Sequence, residues 1–173
     1  MSKSERRKCS ADLIGFFCVS LLGCLNHFVY ELSGRSPAAA VFAPVNESTW
    51  EHLKLLFFPY ILFLTAEFIL CGRKTDGFLF SGVTGVLCGM LFIPAAFYLY
   101  TSITGKSCFV IDILIFFAAV LISFRVRSER TARGIDRGIM KSLSAVILIA
   151  GITALFIGFT FFPPDSPLFR SPV

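Results

Sequence analysis

His27-Phe28-Val29-Tyr30-Glu31, followed after a short apolar run by Asn46-Glu47-Ser48-Thr49-Trp50-Glu51-His52-Leu53-Lys54, is the stretch on which the reading of this chain turns. It crowds ionisable and hydrogen-bonding side chains into the gap between two long apolar segments, about 13–30 and 53–71. Apolar runs of that length are the signature of helices that cross a bilayer, which takes roughly 17–25 residues. Charged side chains beside or inside such runs are expensive, so a cluster of them asks for a functional reason.

The whole composition agrees with the two flanking runs. Hydrophobic residues make up 55% of the 173, charged residues 16%, and phenylalanine alone supplies 21 positions. Mean hydropathy is +0.78. A soluble domain is about a quarter charged, so this chain lacks the polar surface it would need. Three further runs, about 78–100, 108–124 and 143–162, bring the expected spans to five. The fold expected is an all-α integral membrane protein, a five-helix transmembrane bundle forming a single domain. Backbone polar groups in lipid must be satisfied within each segment, which makes each span a helix. The segment 37–45 is apolar but too short to cross, and is read as re-entrant or interfacial.

The net charge of +5 does not point to nucleic acid, because the basic residues sit in the short segments between apolar runs. Lys3, Arg6, Arg7 and Lys8 precede the first run, and Arg73 and Lys74 follow the second. Arg125, Arg127, Arg130, Arg133, Arg137 and Lys141 separate the fourth from the fifth, while the other side carries only Arg35, Lys54, Lys106 and Arg170. Such a bias places the N-terminus in the cytoplasm and the C-terminus outside. The expected location is the bacterial cytoplasmic membrane. The lipid bilayer is the expected partner, with anionic headgroups at the Arg125–Lys141 loop. A basic start, an apolar stretch and Ala38-Ala39-Ala40 also resemble a signal peptide, but the run is long for one and contains His27, Tyr30 and Glu31. The six cysteines show no CxxC or zinc-ribbon spacing, which argues against a disulfide framework.

Small residues mark where helices in lipid approach closely. Gly85 and Gly89 form a GxxxG pair, Ser144, Gly151 and Gly158 recur at sevenfold spacing, and Ser20, Gly23, Cys24, His27 and Glu31 share one helical face. Asp112, Ala119 and Ser123 share another. These stripes are expected to face the bundle interior. Pro59 and Pro94 should bend their helices and free carbonyls that need other partners.

The topology brings His27, Glu31, Glu51, His52, Lys54 and Asp112 to one depth, at the outer boundary. Zinc-type sites take His and carboxylate ligands and leave a position for water. His27, Glu31, His52 and Asp112 are the expected ligands of a divalent metal such as zinc. Glu51 and His52 are the expected catalytic pair, with Glu51 as general base. Asn46, Glu47, Trp50 and Lys54 complete a polar substrate site. Each has a plainer reading. Ser48 and Glu51 fit a capping box, Trp50 is an interfacial aromatic, Glu51 and Lys54 could pair, and Lys54 could snorkel. Glu67 lies roughly 22 Å of helix from His52 and is expected to pair with Arg73 or Arg125 instead. The function read from this is a membrane protein with an outward-facing His/Glu/Asp site, a metal-dependent hydrolase. The alternatives are a small proton- or ion-coupled transporter and a structural or sensory component. The proline-rich tail after Pro163 is expected to fold back over the outer helix ends.

The chain also resembles a family of small multi-pass bacterial membrane proteins whose domain has no assigned function. The resemblance rests on His27–Glu31, on Pro44–Leu55 with its Asn-Glu-Ser-x-Trp-Glu-His-x-Lys string, on Val110–Ile113 and on Phe159–Phe169. That family often has Asp before the last proline, where this chain has Ser171. The resemblance implies a membrane class and location, and no activity.

Overall fold

A computed structural model describes residues 3–70, 77–134, 136 and 138–171, with the side chains of 3–10 excepted. Arg73, Lys74, Arg137 and Cys71 therefore lie outside the described residues, as do the side chains of Lys3, Arg6, Arg7 and Lys8. The described chain is all helix and turn. It contains α1 (Lys3–Leu32), α2 (Pro37–Phe42), α3 (Thr49–Leu70), α4 (Phe78–Thr104), α5 (Phe109–Arg133), α6 (Ile139–Phe161) and a 3-10 turn at Pro167–Phe169. Five helices are long and apolar enough to cross a membrane: Ala11–Leu32 of α1, then α3, α4, α5 and α6. They overlap the five expected runs and overrun most of their ends by up to a few residues, α5 continuing to Arg133. That overrun carries Arg127 and Arg130 on the helix itself rather than on a loop. The segment 37–45 is one short helix and its exit. Ala40 and Ala43 are buried, and α2 packs between α1 and α6.

Successive long helices run antiparallel, so each end of the bundle collects alternate termini. The late residues of α1, α4 and α6 meet the early residues of α3 and α5. Half of the apolar stretch of α3 and of α4 is buried, against 11% for α6. The core is therefore α3 and α4 flanked by α1 and α5, with α6 on the outside. Val19, Leu56, Phe57, Tyr60, Leu64, Val86, Val120, Phe124 and Phe156 form its continuous apolar centre.

Close approach follows the small residues in two places. A side chain at Gly85 would clash with the Ser123 carbonyl, and one at Gly89 would sit 2.6 Å from the Ala119 carbonyl. The GxxxG pair thus receives the Ala119/Ser123 face of α5. The second place involves Pro59, which has no N–H and so frees the carbonyl of Leu55, four residues earlier. A Cβ on Gly23 would lie 2.6 Å from that oxygen and 2.5 Å from the Phe116 ring. Glycine instead turns a Cα hydrogen toward the freed carbonyl, a weak but recurring contact between packed helices.

Two stripes face otherwise than expected. Gly151 and Gly158 have no neighbour that a Cβ would meet, and Ser144 is exposed. α6 packs instead through Ala145, Ile149, Ile152 and Phe156, a wider stripe of larger apolar residues at spacings of three and four. On α1, Ser20 and Gly23 face inward and His27 is half-buried, but Cys24 and Glu31 are exposed. The helix passes its last contact with the bundle about one turn after His27, and Glu31 lies beyond it.

The end of the bundle opposite His27 is closed by ion pairs. Glu67 pairs with Arg127 at 2.5 Å, both buried, in place of the expected Arg125, and the expected Arg73 lies outside the described residues. Arg127 also lies over the Phe78 ring at 4.8 Å, a favourable place for a guanidinium. Past α5, buried Asp136 accepts Arg130 through both oxygens at 2.6 and 2.7 Å. It also accepts the Ser81 hydroxyl at 2.9 Å, which ties the α5–α6 connection to α4. The Arg130 hydrogen bonds, with help from Ser81, hold the Asp136 carboxyl below its ordinary range against the opposing pull of burial. At the His27 end the tail does fold back. Phe169 packs tilted against Trp50 at 5.1 Å and edge-on to Phe159 at 5.3 Å.

Candidate metal centre and cavity

The site is built by the way the chain enters α3. Ser48 caps the helix, its Oγ accepting the Glu51 N–H at 3.4 Å. Asn46 Oδ1 accepts the Ser48 N–H at 2.9 Å, which fixes the turn that presents Glu47. Only half of the expected capping box forms. Glu51 reaches past Ser48 and accepts the Val45 N–H at 3.0 Å. It does so because its carboxylate belongs to a buried network. Lys54, fully buried, donates to Glu51 Oε2 at 2.7 Å, to the Thr160 hydroxyl at 2.6 Å and to the Ala40 carbonyl at 2.8 Å. Thr160 in turn donates to Glu51 Oε1 at 2.9 Å. Lys54 thus does not snorkel. It and Glu51 weld α2, α3 and α6 together, with every donor and acceptor used.

Beside that weld, His27, Glu47 and His52 converge. One ligand atom from each lies within 4.8 Å of the others. His52 Nε2 is 3.3 Å from one Glu47 oxygen, and His27 Nε2 is 3.9 Å from the other. The two imidazoles sit 5.4 Å apart. Both histidines are half-buried, while the Glu47 side chain is 67% exposed. His52 Nδ1 lies 2.9 Å from the Ser48 carbonyl. That oxygen can only accept, so Nδ1 carries a proton and the other nitrogen faces the carboxylate. An imidazole held this way is oriented as metal-binding histidines are. With Nε2 unprotonated, two lone pairs would face each other across 3.3 Å, so a cation, whether proton or metal, belongs between them.

The three residues stand at the mouth of a cavity of about 480 Å³ between α1, α3, α4 and α5. Asp112 lines the same cavity and accepts the Tyr100 hydroxyl, which itself accepts the Cys108 N–H at 3.0 Å. Apart from this cluster, the walls are mainly apolar, among them Leu55, Ile93, Ile113, Ile115 and Phe116.

The structure brings together His27 and His52 of the four expected ligands and sets Asp112 into the same cavity. It does not bring Glu31, whose carboxylate takes Arg35 at 3.2 Å on the exposed far side of the turn. That contact raises the Arg35 guanidinium above its ordinary value, chiefly by hydrogen bonding. Glu51, the expected base, does not line the cavity and has no free oxygen. Trp50 lies in a cage of Phe156, Phe159 and Phe169, and Asn46 shapes the turn. Sequence reasoning placed Glu47 in the site but not among the ligands, and it missed Tyr100, Thr160 and Asp136. Tyr100 and Thr160 each sit at the helix end that antiparallel threading carries to this cluster, the one signal that could have found them.

The chain matches, over residues 2–173, the model of a family described as a family of unknown function, DUF6512. No curated protein and no solved structure matches it.

Proposed function

We propose that this chain, which belongs to DUF6512, is a multi-pass membrane protein that binds a zinc-type divalent cation through His27, Glu47 and His52. The observation that carries this is the approach of two imidazole nitrogens and one carboxylate within 4.8 Å at a cavity mouth. Ligand atoms around one tetrahedral zinc lie roughly 3.3–3.5 Å apart, given bonds of about 2.0–2.2 Å. The His52–Glu47 separation already has that value, and the exposed Glu47 side chain has room to shorten its 3.9 Å approach to His27. Two histidines and one glutamate is a ligand set that catalytic zinc sites use, with the fourth position left for water. Here the cavity that all three residues line would hold that water.

The reaction such a set supports is hydrolysis. A metal in this site would acidify a bound water. Asp112, on the wall of the same cavity and hydrogen-bonded by Tyr100, would be the carboxylate to take the proton as water adds to an ester or amide carbonyl. The same proton then leaves with the departing group. The Lys and Arg distribution supports a cytoplasmic N-terminus in a bacterial inner membrane, with this site on the outer face. Exposed Arg125 and Arg133 remain to meet anionic headgroups on the inner face, since Arg127 and Arg130 pair internally.

Metal content measured on protein purified in detergent and dialysed against zinc tests the reading. Near-stoichiometric zinc is expected. His27→Ala and His52→Ala should abolish it, Glu47→Gln should weaken it, and Glu31→Ala should leave it unchanged. Zinc-free protein, or zinc indifferent to these histidines, would sink the metal site. A proton-coupled flux in proteoliposomes, lost in Asp112→Asn, would then put the carrier reading in its place.

A further inference from the structure

We infer that the cavity receives one apolar chain of a membrane amphiphile, held with its oxygen-bearing head at the His27–Glu47–His52 mouth. The head placement rests on the metal reading above, while the chain placement rests on the walls alone. The decisive feature is a change of polarity with depth, repeated on separate helices. On α1 the lining passes from His27 to Gly23, and on α3 from His52 to Leu55. On α5 it passes from Asp112 to Ile115 and Phe116, while α4 contributes Phe97 and then Ile93. Every step of one helical turn away from the mouth replaces a polar or aromatic group by a small or apolar one. The volume, about 480 Å³, lies within the roughly 300–1,000 Å³ of small-molecule sites.

Chemistry selects the occupant. A wholly polar substrate would leave its inner end unsatisfied against Leu55, Ile93, Ile115 and Phe116, and burying an unpaired polar group is costly. A wholly apolar one would leave the mouth unused. An acyl or similar chain enters without desolvation cost, because in the bilayer it is already in an apolar medium. The entrance suits that route. Phe28 on α1 and Phe109 on α5 line the cavity and are 58% and 76% exposed. Such a rim is unfavourable in water and at home against acyl chains. The inner wall at Gly23 is packed by the Phe116 ring and leaves no room for a side chain there.

The test uses the full-length protein in phosphatidylcholine–phosphatidylglycerol nanodiscs with a long-chain fatty acid carrying a diazirine near its methyl end. Cross-links are mapped by peptide mass spectrometry, and zinc is measured in the same samples. Labelling is expected on Ile113, Ile115 and Phe116, above that on the lipid-facing stretch around Gly151 and Leu155. Excess unlabelled long-chain fatty acid should remove it, and acetate should not. Ile115→Trp, at the deeper apolar layer of the cavity, should lose the label and keep zinc, whereas His27→Ala should lose zinc and keep floor labelling. The competition on unmodified protein keeps the test valid if Ile115→Trp fails to fold. Floor labelling no greater than that of the α6 face, or labelling that the unlabelled chain cannot displace, overturns the inference. Floor labelling in wild-type protein that holds no zinc would overturn only the metal reading.

Discussion

Single residues decide how tightly this bundle closes. Gly23 is the clearest case, because its missing side chain lets α1 meet the carbonyl that Pro59 frees on α3. Gly23→Ala forces a methyl against that oxygen and the Phe116 ring. Overpacking of this kind costs about 1–3 kcal/mol, and thermal unfolding in detergent should show it as a lowered midpoint. Lys54 is the second case. Lys54→Met leaves the Glu51 carboxylate buried without its cation, a loss on the order of 3–5 kcal/mol, whereas Glu31→Ala on the exposed face should leave the midpoint unmoved. Some of this was legible in the residues alone. The spacing of His27, His52 and Asp112 put them at one depth, and a fully buried Glu51–Lys54 pair is consistent with their separation of three. What spacing could not give was rotation. Glu31 is one turn from His27 and shares its face, yet the helix has left the bundle by then. Glu47, on a loop with no period to read, was placed near the site without a role.

At the scale of elements, α3 and α4 are readable because their apolar runs are long, and α4 also because its small residues are paired. The GxxxG of α4 found its partner face, while the sevenfold stripe of α6 did not. A stripe of small residues reports a close neighbour only where another helix has the shape to enter it, and α6 meets the bundle through Ile149, Ile152 and Phe156. The connection from α5 to α6 was read as a basic loop, but Asp136 makes it a clasp on Ser81 and Arg130. Asp136→Asn should lower the unfolding midpoint near neutral pH by breaking the paired hydrogen bonds. The sign of the pH effect follows from the carboxyl being held below its ordinary range. A group with a depressed folded-state value stabilises above its unfolded value and loses that contribution as pH falls through the folded one. The advantage of the wild type over Asp136→Asn should therefore begin to narrow below about pH 4 and vanish only in stronger acid. Midpoints of the two proteins across an acid series measure it.

The whole molecule has a polar cluster at each end and an apolar waist, and α3, α4 and α5 each contribute to both ends. The tail closes the His27 end by packing Phe169 on Trp50, the chain's single tryptophan. Removing residues 167–173 should shift tryptophan emission to the red while zinc content stays unchanged, because the cage and the His27–Glu47–His52 mouth share no side chain. An unshifted spectrum would mean that the tail does not cover Trp50 in the protein. The Glu51–Lys54 weld also bears on how the chain is made. Its third partner, Thr160, sits near the end of α6, so on the proposed membrane reading α3 would carry a charged pair into the bilayer long before the hydroxyl that completes it is synthesised. Chains released before α6 emerges would hold a membrane helix with an open polar wound. They should be conspicuous to the proteases that clear unfinished membrane proteins, and the full-length chain should escape them.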